Sequence, residues 1–411
     1  MTTSRRRIAV VTGSRADYGL LRGLLARLRE HAGTDLQVVA CGMHLAPRFG
    51  ETWRAIEADG FTLAEKVDFE LDDDTPQGVA RSTGIGTIGF SRAFQRLSPD
   101  LVVALGDRFE ILSAATAATL SNIPIAHIHG GEITAGAFDD AIRHAVTKMA
   151  CIHFVAAEPY RLRVIQMGEN PDFIFNVGAP GLDQADVAPA LDRSSLFESL
   201  GIGEPRRFLL ATLHPTTARP GADRDTAAAL LGALAQVKDR NIIFTGVNAD
   251  PGNRVIDNAV RDFVSARPRR AYLFTSLGSD RYWSALRLAD VVIGNSSSGI
   301  LEAPAVGTPS INIGERQLGR LRAASIIDCA VDQAEISAAL RLVLEGRFQP
   351  DLSTEPPYGR GGASDRIANL LQSINLTKAF PKSFHDLSST TISQHLASLD
   401  RSRVDPCQPA W

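Results

Sequence analysis

The sequence has few cysteines, and their number and spacing argue against a disulfide framework and against a cysteine metal site. Its four cysteines, among 411 residues, form no CxxC pair and do not have the spacing of metal ligands. An oxidising compartment is therefore not indicated. Cys41 and Cys151 lie in apolar runs, so we expect both to be small core residues.

Strong net charge and long apolar segments are also absent. The formal net charge is −3, which gives no global field for nucleic acid or an acidic membrane, so any anion site is local. No stretch approaches the roughly 18 apolar residues of a membrane-spanning helix. The basic cluster at residues 5–7 precedes only a short apolar run, 8–11, which suits a buried strand better than a signal peptide. We therefore expect a cytoplasmic protein with no membrane or nucleic-acid partner.

The pattern along the first half of the chain is typical of a parallel α/β domain. Hydrophobic residues make up 44% and charged residues 22%, a globular balance, and the length suggests two or three domains. Helical patterns, for example at 19–30 and 110–120, separate apolar runs that predict strands. The predicted strands are 7–11, 36–41, 101–105, 125–127 and 153–156. Apolar strands alternating with helices favour a doubly wound sheet.

The same pattern then restarts and predicts a second sheet. Its predicted strands are 207–211, 241–245, 271–274, 291–294 and 310–313, with helices that include 226–238 and 280–289. Glycine and proline cluster at 176–190, the expected linker. The predicted fold class is thus α/β, with two doubly wound Rossmann-like domains facing a central cleft. We expect domains at 1–178 and 179–365, a return helix within 366–377, and a Ser- and Thr-rich extension at 378–411 to which we assign no function.

Two turns of the predicted first domain carry candidate residues. The first strand runs into Thr12-Gly13-Ser14-Arg15, where a helix start would offer free N–H groups and Arg15 a positive charge to an anion. An ordinary turn with Asp17 as cap would explain the same residues. Strand 101–105 runs into Asp107, Arg108 and Glu110, at the edge where doubly wound sheets bind ligands. Arg108 has Glu110 or Asp107 as a partner, and a structural ion pair is the alternative interpretation.

The densest group of candidate side chains follows the predicted strand 125–127. It comprises His127, His129, Gly130, Gly131, Glu132, Asp139, Asp140, Arg143 and His144. Strand alternation would place His127 and His129 on the same side, and the two glycines allow a sharp turn that brings Glu132 and Asp139 towards Asp107. The HxH pair lacks further ligands for a metal, whereas interspersed acids fit proton transfer. We therefore predict acid/base chemistry without a metal.

Two segments of the second half complete the candidate site. His214 and Pro215 follow strand 207–211, although a buried histidine bonded to backbone would explain His214 equally well. The run GNSSSGILEAP at 294–304 ends a strand and begins a helix, where Ser296, Ser297 and free N–H groups suit a diphosphate. Glu302, further into the helix, is the kind of carboxylate that holds ribose hydroxyls. Neither a P-loop motif nor GxGxxG at the first turn occurs, which disfavours an NTPase and a dehydrogenase.

These motifs, taken together, resemble the UDP-N-acetylglucosamine 2-epimerases, specifically the hydrolysing branch that makes N-acetylmannosamine-type sugars for sialic-acid-like and legionaminic-acid-like products. The resemblance runs from about residue 8 to about residue 371. It is carried in order by TGSRADYG, GDRFE, HIHGGEITAGAFDDAIRHAVTKMA, HPTT, and GNSSSGILEAP with NIGERQ. It implies a GT-B fold with the active site between the domains, and a homodimer.

The resemblance also implies roles for individual residues. It implies Asp107 and Asp139 as catalytic carboxylates, Asp183 and His214 as further active-site residues, Ser296 and Ser297 as diphosphate contacts, Glu302 as a ribose contact, and Arg15 and Arg316 as basic positions of the nucleotide site. Arg108 joins the substrate-binding candidates. Some members carry HxEGG where this chain has His129, so the third acid/base is either Glu132, which we favour, or His129.

The implied reaction converts UDP-N-acetylglucosamine and water to N-acetylmannosamine and UDP by elimination and re-addition, with no redox cofactor. A hydrolysing epimerase of UDP-2,4-diacetamido-2,4,6-trideoxyglucose and a non-hydrolysing epimerase are the alternatives within the family. A retaining GT-B glycosyltransferase and a non-catalytic UDP-sugar sensor are the rivals outside it.

Overall fold

The computed structural model describes residues 5–71, 73, 75–133, 139–215, 222–246, 253–388 and 390–391. They form two domains, each with a parallel sheet and flanking helices, which confirms the predicted fold class. No helix among these residues is long and apolar enough to cross a membrane.

The first sheet has seven strands in the order β3-β2-β1-β4-β5-β6-β7. The strands are β1 (Arg6–Thr12), β2 (Thr34–Cys41), β3 (Leu63–Val67), β4 (Leu101–Leu105), β5 (Ile125–Ile128), β6 (Ile152–Val155) and β7 (Ile174–Asn176). The helices between them are α1 (Arg15–Glu30), α2 (Trp53–Ala58), α3 (Pro76–Leu97), α4 (Phe109–Leu120), α5 (Asp139–Met149) and α6 (Glu158–Gln166).

Strand β1 shows why this sheet is covered on both faces. Ile8 and Val10 pack with α1, whereas Ala9 and Val11 lie in the cluster formed with α3 and α4. All four side chains are fully buried, because alternate residues of a strand point to opposite faces of the sheet. Cys41 and Cys151 are buried in these two clusters, as expected.

Two short helices connect the sheets, α7 (Gln184–Val187) and α8 (Arg193–Ser199). The second sheet has the order β10-β9-β8-β11-β12-β13. Its strands are β8 (Phe208–Thr212), β9 (Asn241–Thr245), β10 (Ala271–Phe274), β11 (Val291–Gly294), β12 (Ser310–Ile313) and β13 (Ile326–Cys329). Its helices are α9 (Ala222–Gln236), α10 (Asn253–Ser265), α11 (Ser279–Leu288), α12 (Ser298–Ala305) and α13 (Gln333–Leu344).

The chain crosses between the domains twice, and the two crossings lie side by side. On the second crossing the chain returns to the first domain, where α14 (Ala363–Ser373) packs against α1 and is followed by α15 (Leu376–Ala379). The amide of Ala179 donates to the carbonyl of Tyr358 at 3.0 Å. The return helix is thus present and begins three residues before the predicted start at 366. The exact domain boundaries stay predictions.

The strand order places the candidate residues at one position in each sheet. The order reverses between β1 and β4 in the first sheet and between β8 and β11 in the second. The turns after β1 and β4 carry Arg15 and Asp107, and those after β8 and β11 carry His214 and Ser296. Ligands of doubly wound sheets bind at this reversal, outside the carboxyl ends of the strands. Both domains therefore present a ligand-binding edge.

Candidate active site

Arg143 of α5 ties three acidic segments together in the first domain. Its guanidinium forms an ion pair with Asp107, donates to Asp140 at 3.1 Å, and donates to the backbone carbonyl of Glu132 at 3.0 Å. The arginine side chain is only 7% exposed, whereas that of Asp107 is 23% exposed. Arg143 therefore holds the turns after β4 and β5 against α5 and leaves part of the Asp107 carboxylate accessible.

Asp139, the first residue of α5, lies in the electric field of Asp107. Burial raises the pKa of the Asp139 carboxyl, and the negative charge of Asp107 raises it further against the opposing effect of Arg108 and Arg143. A carboxyl whose pKa is raised in this way is better able to hold a proton. Asp107 and Asp139 are thus near enough for their charges to interact. Residues 134–138, which precede Asp139, lie outside the described residues.

His129 and Glu132 form a second acid/base pair. Their side chains meet at 2.6 Å, between Nδ1 of the imidazole and Oε1 of the carboxylate. Burial alone would raise the pKa of Glu132, but His129, its hydrogen bond, Arg143 and Arg320 outweigh burial and lower it. The two candidates for the third acid/base are therefore in contact, so a proton can pass between them.

The chain reverses sharply at this pair. His129 has φ +67° and Gly131 φ +79°, and a Cβ at Gly131 would stand 2.5 Å from the carbonyl oxygen of Tyr160. Because β5 ends at Ile128, strand alternation does not govern His129. His127 is instead fully buried, with Nε2 donating to the Gly106 carbonyl at 2.8 Å, and burial lowers its pKa to about 3. His127 is thus a structural residue that holds the turn after β4.

The sequence left open whether Arg108 pairs with Glu110 or with Asp107, and in the structure it pairs with Glu110. Arg108 donates twice to the Glu110 carboxylate, at 2.9 and 3.2 Å, while Asp107 pairs with Arg143. Glu110 is fully buried, and burial raises its pKa against the opposing charge of Arg108. Glu110, which was not among the predicted site residues, therefore anchors Arg108 at the sheet edge.

The turn after β1 has a different cap from the one considered. Ser14 is the N-cap of α1 and accepts from the Asp17 amide at 3.3 Å, while the Asp17 carboxylate accepts from the Gly13 amide at 3.3 Å. Arg15 is exposed at the first position of α1. Its guanidinium is therefore accessible at the ligand edge, and its predicted phosphate contact stays a prediction.

Asn295 joins three turns of the second domain. Its side chain accepts from the His214 amide at 2.7 Å and donates to the His214 carbonyl at 2.8 Å. Its own carbonyl accepts from Arg316 at 3.2 Å and from Gln317 at 2.9 Å. The backbone of His214 is thus held by a side chain, and Arg316 lies beside the serine-rich turn. Thr216 and Thr217 of the HPTT motif lie outside the described residues.

The serine-rich turn begins α12 as the sequence predicted. Gly294 has φ +138°, and a Cβ there would overlap the carbonyl of Thr212, so β11 can approach β8 only with glycine at this position. Ser296 and Ser297 precede the helix and are partly exposed. Ser298 bonds the hydroxyl of Tyr282, and burial raises the pKa of Glu302 against the hydrogen bond from Ser298. Ser298 therefore connects Tyr282 to the proposed ribose carboxylate.

Asp183 has a structural role that the sequence did not predict. Its two carboxylate oxygens accept from the amides of Ala363 and Ser364, at 2.7 and 2.8 Å, at the start of α14. Asp183 therefore caps the return helix, whose own N-cap residue, Gly362, has no side chain that could do so. Its assignment as a substrate-binding residue stays a prediction.

Sequence reasoning missed the residues that hold the candidates in place. The sequence gives no functional role to Arg143, and it does not single out Asn295, Tyr282 or Arg320 as site residues. Buried, hydrogen-bonded polar residues such as Arg143 and Asn295 give no signal in a single sequence, because their partners lie far along the chain. Among the described residues, no group of His, Cys, Asp or Glu is arranged to hold a metal ion.

Comparison with known proteins identifies the family. The family model for UDP-N-acetylglucosamine 2-epimerase matches residues 26–372. This chain belongs to the UDP-N-acetylglucosamine 2-epimerase family. The match covers Asp107, Glu132, Asp139, His214 and the serine-rich turn.

Relatives of this epimerase match it over most of its length. A Campylobacter jejuni protein, "GDP/UDP-N,N'-diacetylbacillosamine 2-epimerase (hydrolyzing)", is 36% identical over 93% of this chain and 100% of its own. The Legionella pneumophila "UDP-N,N'-diacetylbacillosamine 2-epimerase (hydrolyzing)" is 35% identical over 90% and 97% of the two chains. The Neisseria meningitidis "UDP-N-acetylglucosamine 2-epimerase" is 31% identical over 84% and 90%.

Solved structures share the fold. The UDP-GlcNAc 2-epimerase of Neisseria meningitidis, bound to UDP-GlcNAc, superposes with a TM-score of 0.73 at 16% identity and covers 90% of this chain and 100% of its own. The UDP-GlcNAc 2-epimerase of Methanocaldococcus jannaschii gives 0.68 at 15% identity, over 89% and 99%.

Proposed function

We propose that this epimerase hydrolyses a UDP-linked 2-acetamido sugar and inverts its C2, releasing a free manno-configured sugar and UDP. The observation that carries the proposal is the division of groups between the two sheet edges. Acid/base groups with differing pKa shifts stand after β4 and β5, and a serine-rich helix start stands after β11. The hydrolysing relatives at 35 and 36% identity support the same reaction.

The pKa shifts support a choice of which carboxyl group removes a proton from C2 and which delivers a proton to C2. Titratable groups whose environments push their pKa values apart mark the base and the acid of a site. Glu132, with its lowered pKa, is ionised at neutral pH and is assigned as the base, with His129 as its proton partner. Asp139, with its raised pKa, is assigned as the proton donor, and Asp107, paired with Arg143, is assigned as the neighbouring carboxylate that raises that pKa. These roles refine the expectation that favoured Glu132 over His129.

The proposed steps balance without a redox cofactor. Glu132 removes the C2 proton, the C2–H electron pair forms a C1=C2 double bond, and the C1–O bond breaks with its electrons on UDP. Water then adds its oxygen to C1, and a proton from Asp139 reaches C2 on the opposite face. The proton that the water loses returns to Asp139, and the proton that Glu132 took from C2 passes to the departing UDP or to solvent, so both carboxyl groups regain their starting states.

The departing diphosphate gains negative charge, which the second domain would stabilise. The hydroxyls of Ser296 and Ser297 supply donors, the start of α12 supplies the positive end of a helix dipole, and Arg316 beside them supplies positive charge. His214 is held next to this turn by Asn295. Arg15 and Arg108 face the same ligand from the first domain, and Glu302 is assigned to the ribose.

Two sugars are candidate substrates. UDP-N-acetylglucosamine is the expectation from sequence, and the Neisseria relative with that name is 31% identical. The two relatives named for UDP-N,N'-diacetylbacillosamine are 36 and 35% identical, and this favours the diacetamido sugar. We propose UDP-N,N'-diacetylbacillosamine as the preferred substrate and UDP-N-acetylglucosamine as the second candidate.

Incubation with each sugar nucleotide in deuterated water, followed by NMR, tests the reaction and the substrate. We expect UDP and a free manno-configured sugar with deuterium at C2, and a higher kcat/KM for the diacetamido sugar. An intact UDP-manno sugar would instead show a non-hydrolysing epimerase. A requirement for an acceptor would show a glycosyltransferase, and binding without turnover would show a sensor.

The homodimer implied by the family resemblance and the cytoplasmic location expected from the sequence are further proposals. Light scattering coupled to size-exclusion chromatography should give a mass near twice the 44.1 kDa of one chain. A monomer at micromolar concentration would exclude the homodimer. Cell fractionation should recover the enzyme with soluble cytoplasmic markers.

A further inference from the structure

A pair of buried tyrosines lies where the chain crosses between the domains. Tyr160 of α6 belongs to the first domain, and Tyr358 lies on the second crossing, before α14. They are 3% and 2% exposed, and their hydroxyl oxygens are 2.8 Å apart. The Tyr358 hydroxyl also accepts from the amide of Leu321 in the second domain, at 3.1 Å. One hydroxyl is thus bonded to both domains.

On the first-domain side, the pair supports the turn that carries the proposed base. The carbonyl of Tyr160 lies so close to Gly131 that any side chain there would clash. Arg163, one turn further along α6, donates to the Gly131 carbonyl. Glu132 follows directly, so the position of Tyr160 determines where the backbone of Glu132 can lie.

On the second-domain side, the pair supports the segment after Arg316. Leu321 follows Arg320, and this segment is tied back to the serine-rich turn by Gln317, which donates to the Asn295 carbonyl at 2.9 Å. The charge of Arg320 acts on Glu132 in the first domain and on Glu302 in the second. Arg320 is therefore near enough to the proposed base and to the proposed ribose carboxylate for its charge to act on both.

We propose that Tyr358 is a positioning residue, whose hydroxyl sets the Arg320 segment of the second domain against the Glu132 turn of the first. The inference rests on the proposed function, in which Glu132 takes the C2 proton. It names neither tyrosine as a contact of the substrate, since both are buried. Without the hydroxyl, the Leu321 amide and the Tyr160 hydroxyl lose their partner, and the Arg320 segment is free to move away from Glu132.

The kinetic test compares Tyr358→Phe, Tyr160→Phe and the double variant with wild type. Tyr272→Phe is the matched control, because this partly buried tyrosine lies on the edge strand β10. We expect Tyr358→Phe to lower kcat roughly ten-fold with KM changed less than about two-fold. Tyr160→Phe should lower kcat less, and the double variant should be no worse than Tyr358→Phe, since both act through one bond.

The pH profile separates positioning from general loosening. The groups that act on Glu132 are His129, Arg143, Arg320, Tyr160 and Tyr358, and Arg163 binds the carbonyl of the preceding Gly131. Loss of the positive charge of Arg320 would raise the pKa of Glu132, so the acidic limb of kcat should move to higher pH in Tyr358→Phe. Arg320→Gln should move it in the same direction, and Arg320→Lys should restore it in part. An unmoved limb in both Tyr358→Phe and Arg320→Gln would overturn the proposal.

Hydrogen exchange tests the same link without turnover, so failure of the proposed function is distinguishable. The amide of Leu321 should exchange faster in Tyr358→Phe. It should also exchange faster in Tyr160→Phe, although Tyr160 makes no hydrogen bond to Leu321 and acts only through Tyr358. Unchanged exchange of Leu321 in Tyr160→Phe would overturn the interdomain link even if the enzyme is active. If wild type turns over neither sugar nucleotide, the proposed function fails and this exchange measurement alone decides.

Discussion

At the scale of single residues, the candidate acids differ because of what surrounds them. Asp107 forms an ion pair with the nearly buried Arg143. Burial and the charge of a second carboxylate raise the pKa of Asp139, whereas Glu132 accepts a hydrogen bond from His129. The same chemical group therefore has a raised pKa at one position and a lowered pKa at another. Substitutions that keep the shape of a side chain and change only its charge are the sharpest tests of these roles.

Asp107→Asn should abolish turnover and largely keep UDP binding. Asparagine has no negative charge to raise the pKa of Asp139, but Arg143 still has Asp140 and the Glu132 carbonyl as partners, so the turn should remain in place. We expect kcat to fall by at least about a thousand-fold and UDP affinity to change less than about three-fold. UDP release and calorimetry measure the two quantities.

Asp100→Asn is the matched control for Asp107→Asn. Asp100 precedes β4 and pairs with Arg7 at 2.9 Å, at the opposite end of the strand from Asp107. Its replacement removes the same charge from the same strand, and we expect normal turnover. Normal turnover in Asp107→Asn would remove Asp107 from the mechanism.

Asn295→Asp should make UDP binding depend on pH. Asparagine both accepts from the His214 amide and donates to the His214 carbonyl, whereas a carboxylate can only accept. At neutral pH its second oxygen would face that carbonyl, so we expect UDP affinity to fall at least about ten-fold. The site is buried, which raises the pKa of a carboxyl, so acidification should restore part of the affinity.

Asn375→Asp controls for the added charge in this experiment. Asn375 is an exposed N-cap of α15, a position where aspartate serves equally well. Its UDP affinity should match wild type at every pH. Recovery in Asn295→Asp at alkaline rather than acidic pH would contradict the bonding scheme.

At the scale of elements, strands with unbroken apolar runs were predictable, whereas three of the four edge strands were not. The strands Leu101–Leu105, Asn241–Thr245 and Val291–Gly294 have the predicted bounds, because burial on both faces gives an unbroken apolar run. The missed strands are β3, β7 and β13, which lie at sheet edges and contain exposed polar residues. Their sequences resemble loops because only one neighbouring strand and part of one face constrain them.

The segment after α15 is anchored to α5 by Lys382, which no sequence pattern indicated. Its ammonium donates to the carbonyls of Lys148 and Ala150 at the end of α5, and to both oxygens of the buried Glu169, at 2.8 and 2.9 Å. A cation at the carboxyl end of a helix stabilises it. Lys382→Met should therefore lower the free energy of unfolding by about 2 kcal/mol, because Glu169 keeps Lys148 as a partner.

The pH dependence of this loss identifies Glu169 as the partner. Burial alone would raise the pKa of Glu169, but His153, Lys148 and Lys382 lower it. Stability from a lowered carboxyl pKa is present above the unfolded value, about 4.3, and is lost as the pH falls through the folded value. Denaturation should show the difference between Lys382→Met and wild type at pH 7 and a smaller one near pH 4. The exposed Lys378→Met should be neutral at both.

At the scale of the whole molecule, the sequence predicted which strand ends carry the candidate residues but not the contacts that hold those residues in place. Turns at strand ends, read in order, placed Asp107, Glu132, Asp139 and Ser296 at ligand-binding edges, because chain topology alone brings strand ends together. The partners of Asp183 lie about 180 residues further along the chain, at the start of α14. Such pairings depend on how two domains and two crossings pack, which local patterns do not encode.

The division of groups between the domains predicts what each part of a ligand protects. UDP alone should slow hydrogen exchange at the serine-rich turn and at Arg316, whereas the intact sugar nucleotide, bound to Asp107→Asn, should also protect residues 129–132. The sugar is the only part that has to reach the acid turn, and the inactive variant prevents its loss during the measurement. Equal protection of residues 129–132 by UDP alone would mean that the nucleotide, and not the sugar, contacts the turn that carries Glu132, and the proposed assignment of the two sheet edges would then be wrong.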